Sequence, residues 1–228
     1  MRRARGFTLV ELAVALAVIG LLLGMLIVPL NAQIDQQRIN DARKQLALVN
    51  EALVGFAVAN GRLPCPATPG TANTTAGAGT ENKPGAACGI THGVVPWATL
   101  GLPETDPWGW RFTYRVTGEF ANDPALGLQA TLALGDNADI TVKAATGGLD
   151  IATFVPAMVV SHGKNGLGAY RTSGVQVTTT GAGADELENA NADSIFVSKL
   201  PEPTYDDVVL WLSPHVLKSR MVAANRLP

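Results

Sequence analysis

The apolar residues are distributed unevenly along the chain. Residues 7–30 form a run of 24 with a single ionisable side chain, Glu11. As a helix at about 1.5 Å per residue the run reaches about 36 Å, more than a hydrocarbon core of about 30 Å. From residue 31 the pattern changes to mixed polar and apolar. Ile39, Ala42, Leu46, Val49, Leu53 and Phe56 recur at spacings of three and four, which predicts an amphipathic helix. Asn60-Gly61 and Pro64 end it.

Beyond residue 61 the periods shorten. Trp110, Phe112, Tyr114 and Val116 alternate with Arg111, Thr113 and Arg115, the pattern of a half-buried strand. Asp106-Pro107-Trp108-Gly109 before it is a turn. Further strands are expected at Leu128–Leu134, Ile140–Ala144, Met158–Ser161 and Ile195–Lys199, separated by Gly, Asn and Asp. Antiparallel pairing is the default for short strands joined by such turns. A C-terminal helix is expected from Tyr205 to Ala224, with Asp206 and Asp207 in its first turn and a restart at Ser213-Pro214. The predicted fold class is α+β: a long N-terminal helix packed on an antiparallel sheet head, with a C-terminal helix.

The composition suits one globular head. Of the 228 residues, 47% are hydrophobic and 16% charged, with a net charge of −2, which excludes a disordered chain and gives no basic excess for nucleic acid. Cys65 and Cys88 flank a Gly-, Thr- and Pro-rich loop; two cysteines with His92 as the only nearby histidine do not make a metal site, so a disulfide is expected. No catalytic set emerges. Ser161-His162-Gly163-Lys164-Asn165-Gly166 lacks the spacing of a phosphate loop and the surroundings of a nucleophile elbow, and reads as a glycine-rich reversal. Trp97, Trp108 and Trp110 read as packing residues rather than a sugar platform.

The N-terminal run needs a further explanation. Arg2, Arg3 and Arg5 precede it with no acid, which predicts an N-in, C-out orientation. The run is too long for a cleaved secretory signal, and Leu30 is too large for the nearest exit. A plain anchor leaves Glu11 unexplained, since an ionised side chain near the bilayer interior costs about 2–4 kcal/mol.

Gly6-Phe7-Thr8-Leu9-Val10-Glu11, behind its basic leader, resembles the type III signal of type IV prepilins and type II secretion pseudopilins. The resemblance implies that a prepilin peptidase cuts between Gly6 and Phe7 and methylates Phe7. It further implies that Glu11 directs assembly by pairing with the new amino terminus. The organisation expected is a leader over 1–6, a membrane and polymerisation helix over 7–30, an amphipathic helix over 31–61 and a periplasmic head over 62–228. Loss of the leader arginines takes the formal charge from −2 to −5. The implied partners are the bacterial inner membrane, the peptidase, other pilin or pseudopilin subunits and an inner-membrane assembly platform.

Residues 181–193 concentrate oxygen donors in Asp185, Glu186, Glu188, Asn189, Asn191 and Asp193. Calcium prefers such ligands, and major pseudopilins carry a calcium-binding acidic loop before a late strand; a solvated acidic loop is the alternative. Three functions are distinguished: a fibre subunit, a membrane-anchored periplasmic binding protein that never polymerises, and an anchored hydrolase. The scattered histidines argue against the last. Glu11 argues against the tip subunit that lacks this acid, and the chain length and long loops favour a minor or specialised subunit.

Overall fold

A computed structural model describes residues 6, 8–127 and 138–226, without side chains at 23 and 25–30. The strand expected at Leu128–Leu134 lies outside the described residues. The described elements are α1 (Leu9–Asn60), β1 (His92–Val94), α2 (Trp97–Leu100), β2 (Thr113–Val116), β3 (Ile140–Lys143), β4 (Asp150–Val155), β5 (Ala157–Ser161), α3 (Ala184–Ala190), β6 (Ile195–Val197), β7 (Val208–Trp211) and α4 (Pro214–Ala223). The class is α+β, as expected. The chain divides into two compact units, Met1–Asn40 and Asp41–Pro228.

In the first unit α1 is apolar on every side from Leu9 to Leu22, Glu11 excepted, and turns polar from Asn31 onward. From Leu9 at 86% to Leu22 at 54%, each described large apolar side chain is more than half exposed. A helix with no polar face has no stable arrangement in water by itself; it needs lipid or other apolar surface around it.

In the second unit the last part of α1 is amphipathic. Ala42, Leu46, Val49 and Leu53 are buried, as the spacing predicts, and Val54 and Ala57 continue the stripe. Val49 lines a crevice with Leu102, Pro103 and Phe112. The helix ends at Asn60, where Gly61 takes φ +70° and its N–H returns to the Ala57 carbonyl. Arg226 serves the next two carbonyls, donating from Nε to Val58 O and from Nη2 to Ala59 O, both at 2.9 Å. Carbonyls that a helix terminus leaves open are thus closed by a residue from the far end of the chain.

The strands form two sheets. The first has the order β1-β2-β5-β7, antiparallel throughout; the second has the order β4-β3-β6. The β3–β6 pair is parallel, against the antiparallel expectation. A parallel pair needs a long crossover, and the chain between β3 and β6 supplies one that includes β4, β5 and α3. Ile140, Val142, Val155, Met158, Val160 and Phe196 form one core that joins the sheets, with Val209 and Trp211 packed against it.

Three further expectations are corrected. Val208–Trp211 is a strand on β5, not the start of a helix. A run of four apolar residues carries no period to decide between the two, and the β-branched pair Val208-Val209 favours the strand. Pro214 also holds Ser213 extended, so α4 starts only there. Second, Ala184–Ala190 is a helix within the predicted loop, since Ala, Glu and Leu are good helix formers. Third, Arg111 and Thr113 are buried rather than on a solvent face.

Arg111 is 0% exposed and fully engaged. Nε and Nη2 donate to Glu104 Oε1 at 3.0 and 2.8 Å. Nη1 donates to Pro69 O and Thr71 O, and Nη2 to Thr172 O. The guanidinium also stacks on Trp97, 4.6 Å from the ring centroid. Asp106 anchors the turn, with Oδ1 accepting from Trp108 N and Trp110 N and Oδ2 accepting from Ser161 Oγ at 2.6 Å. The Cys65–Cys88 disulfide is present. Its loop is tied to the end of α1 by Arg62, which makes two hydrogen bonds to Glu81 at 2.7 and 2.8 Å; the same carboxylate accepts from Cys65 N.

His92 on β1 generates a pH prediction. Burial first, then the positive charge of Arg115, pushes its pKa from 6.5 down to about 4. The unfolded chain therefore binds the proton more readily between those values, and stability present above pH 6.5 is lost as pH falls through 4. His92→Gln is expected to flatten that part of the stability-against-pH curve, measured by urea denaturation from pH 7 to pH 4.

Candidate functional site

Two groups of residues carry candidate chemistry, one in each unit. In the first, Gly6 is non-helical and exposed, Thr8 precedes α1, and Glu11 is its third residue. Glu11 Oε2 accepts from Thr8 N and Thr8 Oγ1, each at 2.9 Å, and Glu11 N donates to Thr8 Oγ1 at 3.3 Å. The Thr-x-x-Glu spacing that permits this exchange is readable in the sequence, although the sequence analysis assigned Thr8 no role. Phe7 lies outside the described residues.

In the second unit the six predicted oxygen donors do not converge. Asp185 accepts from Thr146 N at 2.7 Å and from Lys199 Nζ at 2.5 Å. Asn191 and Asp193 bond each other, and Asp193 Oδ1 caps Ile195 N at 2.8 Å. Asn189 is 0% exposed and braces the core: Oδ1 accepts from Val197 N, while Nδ2 donates to Val197 O and Asp207 Oδ2. The reason is helical. Because α3 winds this stretch, Glu186 and Asn189 share its inner side at a spacing of three, and Asp185 points elsewhere.

Glu186 instead meets Asp206 and Asp207, which lead into β7. The three carboxylates place one oxygen each within 4.8 Å of one another. Glu186 Oε1 accepts from Asn165 Nδ2 at 2.8 Å and Asp206 N at 3.2 Å. Asp206 Oδ2 accepts from Lys164 N and Asn165 N at 2.8 and 3.0 Å. Two further oxygens, Asp206 Oδ1 and Asp207 Oδ1, are buried without a hydrogen-bond partner among the described residues. Burial raises the Asp206 pKa to about 6, with the negative charges of Asp207 and Glu186 adding to it. The close approach depends on Gly163 at φ +59°, where a Cβ would stand 2.3 Å from Asp206 O. The reversal read at Ser161–Gly166 is therefore the loop that lies against this cluster.

The neighbouring residues are also buried. His162 is 0% exposed, with Nε2 2.8 Å from Thr113 Oγ1 and Nδ1 3.6 Å from Asp207 Oδ1. Ser161 and His162 are both fully buried, so neither presents a nucleophile to solvent. Trp97 and Trp110 pack against Gly79 and Gly166, where an added Cβ would fall 2.2 and 2.4 Å from the indoles. Asp206 and Asp207 are not legible in the sequence as partners of Glu186. The adjacent acid pair was visible, but the fold alone brings it to α3.

A family model described as the prokaryotic N-terminal methylation motif matches residues 1–27. Those residues carry the prepilin-type cleavage and methylation signal, which implies processing by a prepilin peptidase and assembly with other pilin subunits. No curated protein and no solved structure matches the chain. Among the described residues no helix is long and apolar enough to cross a membrane, so the case for membrane passage rests on the sequence of residues 7–30.

Replacing Asn189 by Leu strands Val197 N and the Asp207 carboxylate together. The expected loss is about 2–4 kcal/mol in urea denaturation of the full chain, larger than that of a cavity-neutral surface change.

Proposed function

We propose that the chain is a structural, non-catalytic subunit, minor or specialised, of a type IV pilus or a type II secretion pseudopilus. The observation that carries this reading is the methylation motif over residues 1–27, with Glu11 in the first turn of a helix whose opening stretch, Leu9–Leu22, is otherwise apolar on all sides. The chain inserts in the bacterial inner membrane with the head in the periplasm. The peptidase cuts between Gly6 and Phe7 and methylates Phe7. The helix then leaves the membrane for the fibre through the inner-membrane assembly platform. The disulfide supports a head outside the cytoplasm.

The electrostatic argument supports polymerisation over simple anchoring. A carboxylate in an apolar helix selects the register at which it meets a positive partner, because an unpaired charge is costly there. The amine formed at Phe7 provides that partner in each subunit. An anchored binding protein that never polymerises has no use for the pair.

Mass spectrometry of the natural protein is expected to give an N-terminus at methylated Phe7. Glu11→Ala is expected to be cut normally and to be lost from fibres by at least tenfold, read by immunoblot of sheared filaments. Incorporation of Glu11→Ala at the wild-type level favours the anchored binding protein. A natural protein that retains Arg2, Arg3 and Arg5 removes the processing reading.

The calcium expectation belongs to the same proposal, carried to the cluster that Glu186 forms with Asp206 and Asp207. Glu186, Asp206 and Asp207 fit a divalent cation better than the contiguous loop, because two of their buried oxygens lack hydrogen donors and hard oxygen ligands suit calcium. Bound there, the ion would neutralise the crowded carboxylates and tie α3 to the entry of β7. Saturating calcium is expected to raise Tm by about 5–10 °C over a chelated sample, with the rise lost in Asp207→Asn. No shift in the wild-type chain removes the site.

A further inference from the structure

We infer that Thr8 is a positioning residue for Glu11, holding its carboxylate satisfied in the uncut chain before the amine that later pairs with it exists. This rests on the reading above, in which the Gly6–Phe7 bond is cut. Thr8 stands immediately before α1, and both its N–H and its hydroxyl donate to Glu11 Oε2. The Glu11 N–H donates back to Thr8 Oγ1. The exchange satisfies donors that the start of a helix leaves open, and it gives the acid two donors of its own.

The setting gives that arrangement its use. Leu9, Val10 and Leu12 around the acid are 86%, 72% and 52% exposed, so the first turn offers apolar surface and little else. A bare carboxylate in that turn would have to take up a proton or find a donor on entering lipid. Thr8 supplies the donors from within the same turn. The reciprocal bonds also fix the helix start after residue 8, and Gly6 lies outside the helix. The bond to be cut is therefore upstream of the first helical residue, Leu9.

Cleavage then changes the partner. Water adds across the Gly6–Phe7 amide; Gly6 leaves as a carboxylate, and the Phe7 nitrogen becomes an ammonium. That ammonium is one residue from Thr8 N, which already lies 2.9 Å from Glu11 Oε2. Both Thr8 bonds fall on Oε2. The other oxygen, Oε1, receives no hydrogen bond from the described residues. Glu11 thus has two partners in succession: Thr8 before the cut and an amino terminus after it.

The test uses the full chain in membranes of cells lacking the peptidase, where no amine forms. An apolar carbodiimide is added, and modification of Glu11 is read by mass spectrometry, with Glu11→Gln as the blank. Thr8→Val keeps the shape and removes the hydroxyl; labelling is expected to rise about fivefold, the weight of one capping interaction. Thr8→Ser restores the wild-type rate. Equal labelling of wild type and Thr8→Val, or failure of Ser to restore it, overturns the inference. If Thr8→Val does not accumulate in membranes, amide exchange of the purified chain in detergent decides: faster exchange at Leu9–Leu12 that Ser reverses supports it, and unchanged exchange overturns it. Wild-type chain that stays uncut in cells with the peptidase counts against the fibre reading alone, since the labelling experiment requires no cut.

Discussion

An ionised group removed from water must be given donors or counter-charges, or the fold forfeits several kcal/mol. The head is organised by that demand. Arg111, with no exposed surface, reaches Glu104 and the carbonyls of Pro69, Thr71 and Thr172, and so ties the 69–71 and 172 stretches to the entry of β2. Asp106 collects Trp108, Trp110 and Ser161. Asn189 joins α3 to β6 and to the approach to β7. Strands of three to six residues and long turns supply little regular hydrogen bonding, and these polar centres hold the connections in place.

The two units answer the same demand differently. The head surrounds its ions with side chains and carbonyls from remote positions. The apolar part of α1 offers no such company, and its acid depends on the backbone and hydroxyl of a residue three positions away. The family motif is confined to the first 27 residues and includes both members of this exchange.

Local order explains how much of this was legible in the sequence. The helix from Leu9 to Asn60, its buried stripe, the Asp106 turn and strands β2, β3, β5 and β6 all follow from neighbours within a few residues, and the disulfide follows from there being two cysteines only. β1 and β4 were not anticipated: the first is three residues long, and the second exposes Ile151 and Phe154 and so lacks a clean alternation. β7 was misread because Val208–Trp211 has no period and its state is set by pairing with β5. The acidic stretch illustrates the same limit. Composition marked its oxygen donors, but the winding of α3 turned Glu186 inward, toward two aspartates 20 and 21 positions further along the chain. Distance in sequence, rather than weak local preference, hid that cluster.

The hydrogen bonds from Arg226 to the end of α1 have a mechanical consequence. Tension carried along the helix into the head has two routes at its last turn: the covalent junction at Gly61 and the clasp to Val58 and Ala59. The C-terminal segment thereby shares strain that would otherwise fall on one glycine hinge. A pull on the helix would meet resistance to peeling at that joint, and loss of the Arg226 side chain would weaken it under load before it weakened it at rest.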